Sequence, residues 1–216
     1  MTLSDDSQKV LDLFLHELRS PVSVAQGYLR LLVEDRLKDP CDRERALAQS
    51  LEALGRIGSL CGSADEYLNV LSPVELLHYP ASELVATLQS KCQEEAFTVS
   101  VPIAHIRGDV GSLPVEQATT AIIAVLRAAL RSDPVLAQAV HVGIHGTDLL
   151  LTTGDEAVRE QLVAPAGRGA FDQWRGGTGL RVPLALKLLA HTPLRIWALS
   201  ENSGAIAIAM PLELPA

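Results

Sequence analysis

His16 stands in the string Phe14-Leu15-His16-Glu17-Leu18-Arg19-Ser20-Pro21-Val22, which places a carboxylate, a guanidinium and a hydroxyl within four residues of an imidazole. A neighbouring carboxylate that orients an imidazole and accepts its proton makes a ring nitrogen nucleophilic, and phosphorus is an electrophile it can attack. The same string carries Pro21 inside an otherwise regular helical pattern, where proline costs about 3 kcal/mol by deleting a backbone hydrogen bond and crowding the preceding turn. Something must offset that cost. A second constellation is Arg175-Gly176-Gly177-Thr178-Gly179-Leu180. Glycines that open a helix let backbone amides approach a phosphate at the positive helix end, although four such residues alone serve equally well as a flexible turn.

The elements that position His16 follow from periodicity. Leu11, Leu15, Leu18, Val22, Ala25, Leu29 and Leu32 alternate steps of four and three, the spacing of a helix that presents one apolar seam to another. Thr2 or Ser4 is expected to cap this helix and Asp39-Pro40 to end it, because a proline disfavours helical geometry in the residue before it. A second seam, Leu54, Ile57, Cys61, Ala64, Leu68 and Leu71, gives a second long helix, antiparallel to the first and joined to it near Lys38 to Asp42. Two helices bury too little alone. The regular seams predict pairing with a second copy into a four-helix bundle, hence a homodimer. His16 follows a seam residue and belongs at the edge of that bundle, partly exposed.

Ser72-Pro73 marks the boundary, with a helical-hairpin domain expected over 1–72 and a mixed α/β domain over 73–216. Strands are expected at Val74 to His78, Thr98 to Pro102 and Ala104 to Arg107. Helices are expected at Ser82 to Glu95, capped by Ser82, and at Val115 to Arg131. Val140 to His145 and Asp148 to Thr153 form a hairpin around Gly146-Thr147, Leu180 to Ala190 a helix, and Leu194 to Leu199 with Ala205 to Met210 a closing hairpin turning at Asn202-Ser203-Gly204. Arg107-Gly108-Asp109 is a turn signal.

Composition narrows the function classes. The 216 residues are 48% hydrophobic and 20% charged, enough for a real core, and only 4% aromatic, so Leu, Ala and Val carry the apolar content and favour helices. A net charge of −8 leaves no basic footprint for DNA or RNA. The start, Met1 to Lys9, is acidic and polar, and the longest apolar stretch, Ala118 to Leu126, stops at Arg127, so neither a signal peptide nor a membrane span is expected. Cys41, Cys61 and Cys92 are odd in number and far apart, which suits a reducing compartment and argues against zinc; a cytoplasmic location is expected. His105, His141, His145 and His191 share no metal-ligand spacing, although His141 and His145 fall on one face of a strand. Cys61 reads as a buried seam residue and Cys41 as the more exposed thiol.

The string from Phe14 to Val22, followed by Gly27-Tyr28 and Leu31-Leu32, closely resembles the phosphoacceptor box of two-component sensor histidine kinases, over about twenty residues in phase with the heptads. The resemblance implies that His16 is the phosphorylated histidine, that Glu17 orients it and takes its proton, and that Arg19 and Ser20 shape the phosphohistidine's surroundings. The residue four beyond the histidine is often Thr or Asn in the family, positioning water for phosphatase action; Ser20 is a shorter donor. The second domain resembles the family's α/β sandwich ATP-binding lobe, with Gly177 and Gly179 in its final glycine box and Phe171-Asp172-Gln173-Trp174 like the aromatic pair before it.

Three departures stand against that likeness. Ala128 occupies the place of the family's magnesium-holding asparagine, and Thr152-Thr153-Gly154-Asp155 lacks the spacing of the Asp-x-Gly-x-Gly box whose aspartate binds adenine. Arg181 replaces the last glycine of the final box, where its bulk would fill the pocket, and Pro183 follows early in the helix, a tolerated place. Glu116, Asp133 and Asp155 are the remaining candidates for a metal ligand. Without a phosphate-bound divalent ion, much of the electrostatic stabilisation of phosphoryl transfer from ATP is lost. Autophosphorylation is therefore expected to be weak or absent, with no cofactor bound. The resemblance then implies a standalone histidine phosphotransferase that relays phosphoryl groups between aspartates of response-regulator receiver domains, with magnesium supplied by the receiver and a sensor histidine kinase as a further partner. The alternatives are an ATP-dependent soluble histidine kinase acting on His16, and a pseudo-kinase scaffold without covalent chemistry.

Overall fold

A computed structural model describes residues 5–69, 77–94, 98–100, 106, 108–113, 115–133, 139–164, 169, 171, 179–190, 192–199 and 204–213. The chain divides into two compact units, Met1–Asn69 and Val70–Ala216.

The first unit is a helical hairpin of α1 (Asp5–Val33) and α2 (Pro40–Asn69). Their inner seam is Val10, Phe14, Leu18, Pro21, Ala25, Tyr28 and Leu32 on α1 against Ala46, Ser50, Ala53, Ile57, Leu60, Ala64 and Tyr67 on α2, all buried or half-buried. Alanines at the centre let the helices approach closely, and the buried Ser50 hydroxyl is satisfied by donating to the Ala46 carbonyl at 2.8 Å. This seam differs from the expected one. Leu11, Leu15 and Leu29 on α1 are exposed, as are Leu54, Cys61 and Leu68 on α2, the last at 70%; Leu71 lies outside the described residues. Each helix carries apolar residues at neighbouring heptad positions and therefore has two seams, and the hairpin closes on the one with small residues.

The turn also differs. α1 stops at Val33 rather than at Asp39: Arg36 N–H donates to the Leu31 carbonyl at 3.0 Å and Asp35 N–H to Leu32 at 3.2 Å, a Schellman cap with Asp35 at φ 50° in the place glycine usually takes. The ammonium of Lys38 and the guanidinium of Arg43, at 2.7 and 2.8 Å, hold this exposed carboxyl below the usual carboxylate range. Pro40 opens α2 instead of ending α1, since the first helical position needs no N–H, and Asp39 caps it through Cys41 N–H at 2.7 Å. Thr2 and Ser4 lie outside the described residues.

The second unit is built on β1 (Leu77–Pro80), α3 (Ala81–Glu94), β2 (Thr98–Ser100), β3 (Asp109–Leu113), α4 (Val115–Ser132), β4 (Ala139–His145), β5 (Asp148–Thr153), α5 (Glu156–Val163), α6 (Arg181–Leu189), β6 (Arg195–Ala198) and β7 (Ile206–Glu213). The strands form one sheet in the order β1-β3-β7-β5-β4-β2, with β6 also on β7; β2 and β4 are parallel and the other pairs antiparallel. The run Ala205 to Met210 shows how period-two patterning sorts the two faces. Ile206, Ile208 and Met210 join the main core, with Leu84 and Leu88 of α3, Ile122 and Leu126 of α4 and Ala185 and Leu189 of α6, while Ala205, Ala207 and Ala209 face the smaller cluster of Leu150, Leu162 and Trp197.

Several boundaries depart from expectation. Ser82 lies inside α3 and does not cap it; the Ala81 N–H donates instead to the Gly108 carbonyl at 3.0 Å. Gly108, at φ 108°, turns the chain directly into β3, which the sequence reading lacked. α5 was also absent from it: Asp155 caps this helix through Val158 N–H at 3.0 Å, and the Trp197 indole donates to the Leu162 carbonyl at 2.8 Å, tying α5 to β6. The expected features at Ser72-Pro73, Val74 to Leu76, Ala104, His105, Phe171's neighbours 172–174, His191 and Asn202-Ser203 lie outside the described residues. No described helix is long and apolar enough to cross a membrane.

Candidate functional site

His16 is exposed on α1, and Ser20, one turn further on, lies on the same face and is exposed as well. Arg19 is exposed. Glu17 is half-buried and about 100° around the helix from His16, and no hydrogen bond joins the two side chains. Asp12, one turn before His16, accepts a hydrogen bond from Gln8 at 3.2 Å and adds a carboxylate to the same face, which the sequence reading passed over. Pro21 is buried in the hairpin seam, and this burial of its ring is what offsets the missing hydrogen bond. Because Pro21 has no N–H, the helical ladder is open at the Glu17 carbonyl, one residue from His16. The arrangement offers a solvent-facing imidazole on a rigid element, open to attack on a phosphorus atom brought by another molecule.

In the second unit, Ala128 is buried in α4 at 1% exposure and offers no metal ligand. The other candidate ligands do not converge. Glu116 is in the first turn of α4 and Asp133 just past its end, about 25 Å apart at 1.5 Å per residue, while Asp155 is spent on the α5 cap. Among the described residues, no group of three or more His, Cys, Asp or Glu side chains is placed to hold a metal ion. Thr153, fully buried at the end of β5, donates to the Gly204 carbonyl at 3.0 Å and accepts from the Ile206 N–H at 2.9 Å. Its hydroxyl stitches β5 to β7. Nothing in the local sequence marks this role, because both partners are more than fifty residues away. Thr153→Val keeps the shape and removes both bonds, so it should cost about 1–3 kcal/mol in urea unfolding, with Thr153→Ser losing less.

Gly179, at φ 61°, turns the chain into α6; Gly177 and the rest of the glycine box lie outside the described residues. Arg181, expected to fill a pocket, is instead exposed on the first residue of α6, where a long cation reaches water readily; Pro183 is buried in the helix's first turn. Cys41 and Cys61 are exposed and Cys92 is buried, so the expected burial of Cys61 fails with the seam to which it was assigned.

His141 and His145 share one face of β4. Partial burial and the nearby Arg159 guanidinium hold the His141 imidazole below its ordinary 6.5, against the opposing pull of a hydrogen bond to the Gly154 backbone. The unfolded chain thus binds the proton more readily, and this group's contribution to stability is fully present above 6.5 and lost as pH falls below it. In urea titrations at about pH 7.5 and about pH 5.5, His141→Gln should lose less stability on acidification than the parent.

No family model matches the chain, and no curated protein matches it in sequence. Solved structures do. The histidine kinase AdeS of Acinetobacter baumannii matches 93% of this chain over 98% of its own length, at 14% identity and a TM-score of 0.53. The histidine kinase ThkA, solved in complex with the response regulator protein TrrA, matches 92% of this chain at 14% identity and a TM-score of 0.56; this chain spans 59% of that one. The chain has the histidine-kinase fold, a helical region followed by an α/β domain.

Proposed function

We propose that this chain is a two-component signalling protein that relays phosphoryl groups between receiver aspartates through His16. The observation that carries the reading is the exposed imidazole of His16 on the hairpin of a histidine-kinase fold, combined with a second unit in which Ala128 offers no side chain to a magnesium ion and Thr153 and Asp155, where the adenine-binding box would lie, are spent on bonds within the fold. That ThkA has been solved with a response regulator supports a receiver domain as the partner. The relay would involve a homodimer, in which the exposed leucine stripes of two hairpins close a four-helix bundle.

In the first transfer a neutral ring nitrogen of His16 attacks the phosphorus of a receiver acyl phosphate in line. The P–N bond forms as the P–O bond to the receiver aspartate breaks, and the aspartate leaves as a carboxylate. Glu17, which makes no hydrogen bond to His16 in the resting chain, turns toward the ring during transfer, orients it and takes its proton. The second transfer is the reverse, with the carboxylate of another receiver attacking phosphorus and His16 leaving. Magnesium belongs to the receiver. The second unit then serves protein recognition rather than nucleotide chemistry.

The source of the phosphoryl group tests this reading. The full chain is incubated with magnesium and ATP, and separately with phosphorylated receiver domains and magnesium, and acid-labile phosphate is read by intact mass. Labelling from receivers alone is the expected result. Labelling from ATP overturns the reading of Ala128 as disabling and makes the chain a kinase, whereas receiver binding without labelling makes it a scaffold.

A further inference from the structure

On the sheet face opposite α3, α4 and α6, a cavity of about 380 Å³ opens between the β4–β5 hairpin and α5, within the size range of small-molecule sites. Leu150 and Thr152 of β5 and Gly143 of β4 form its floor, and a Cβ built on Gly143 would meet no heavy atom within 4 Å. The wall is one face of α5, where Glu156, Arg159, Glu160 and Val163 line up at spacings of three and four.

The charges are unevenly placed. The Nε of Arg159 is shut off from solvent without a hydrogen-bond partner, and among the described residues no carboxylate is ion-paired with this guanidinium. The buried Nε is costly as it stands, and an anion that meets the guanidinium's outer nitrogens, which are neither buried nor bonded among the described residues, offsets that cost through the shared charge. Glu156 and Glu160 are instead exposed, at the rim. A phosphate dianion entering the cavity would pass two carboxylates for one guanidinium, whereas a monocarboxylate with a cation at its outer end satisfies both. His141 lies beside Arg159 and, held below its ordinary range, adds no second positive charge at neutral pH.

We propose that this cavity binds a small zwitterion of the α-amino-acid class with an apolar side chain, its carboxylate on Arg159, its ammonium toward Glu156 and Glu160, and its side chain over Gly143 and Leu150. The site is on the opposite sheet face from the helix layer and independent of His16.

The test uses the full chain and nuclear magnetic resonance of the Arg159 Nε–H and the Gly143 amide, with four probes: L-leucine, 4-methylpentanoate without the ammonium, isoamylamine without the carboxylate, and inorganic phosphate. L-Leucine should move both signals, about tenfold more tightly than 4-methylpentanoate, as one extra charge-assisted hydrogen bond allows. Isoamylamine and phosphate should leave both in place. Arg159→Met, which keeps the apolar stem, and Gly143→Leu, which fills the open space over the strand, should each abolish the leucine response while the remaining amide spectrum keeps its dispersion. Should Arg159→Met unfold, Gly143→Leu decides. In Glu156→Gln/Glu160→Gln the advantage of leucine over 4-methylpentanoate should vanish. Absence of any leucine shift, persistence of the response in Gly143→Leu, or tighter binding of phosphate overturns the proposal.

Discussion

His16→Gln is expected to take no phosphoryl group from any phosphorylated receiver, the acid-labile phosphate on the chain falling to background. The effect is the largest available because the substitution removes the attacking nitrogen itself and not an auxiliary to it. Glutamine retains a polar side chain at an exposed helix position, so the hairpin should melt as the parent does. Glu17→Gln should behave differently. The acceptor remains, but its general base is gone, and labelling should slow by about 10²-fold, the lower end of what a positioned base contributes. Quenched time courses separate the two outcomes. Equal labelling of His16→Gln and the parent would place the phosphate elsewhere and sink the relay, while an unaltered rate in Glu17→Gln would remove Glu17 from the chemistry and leave His16 in place.

Leu51→Glu should turn a dimer into monomers. Leu51 is 69% exposed within the hairpin and lies in one stripe with Leu47, Leu54, Cys61 and Leu68, the face that the second copy of the proposed dimer would cover. Fully burying a leucine is worth about 1.5–3 kcal/mol, and a two-fold interface contains the residue twice, so losing both contacts costs about 3–6 kcal/mol, roughly 10² to 10⁴ in dissociation constant. Since the inner seam of Ala46, Ser50 and Ala53 is untouched, helix content by circular dichroism should stay near the parent's. Sedimentation equilibrium reads the result. A parent that sediments as a monomer, or a variant that sediments as the parent does, would rule out this stripe as the dimer contact, and His16→Gln serves as the dimeric control.

The parts of the fold legible in sequence were those governed by local periodicity. The 4–3 steps of leucine through the first seventy residues announce two long helices, and the alternation Ala205 to Met210 announces a strand with two unlike faces. What escaped was decided at the ends of elements. Pro40 carries the same chemistry whether it stops one helix or starts the next, and only the Schellman cap around Asp35 chooses. α5 is eight residues long, too short for periodicity to stand out, and is held by an aspartate cap and by an indole bond from Trp197, 35 residues away.

The site divides along the same line. The resemblance of the string from Phe14 to Val22 to the phosphoacceptor box of histidine kinases is what points to His16, with Glu17 and Ser20, and the same resemblance sets Ala128 in the place of an asparagine. That much is chemistry, which travels with the residue. The tertiary structure alone decided which of two apolar stripes closes the hairpin, leaving Leu15, Leu51 and Leu54 outside, and it alone brought Thr153 to Gly204 and Arg159 to the outer face of β4. A heptad records that a helix has an apolar face but not what covers it, and a buried hydroxyl or guanidinium acquires its meaning from partners that chain closure, not sequence neighbourhood, supplies.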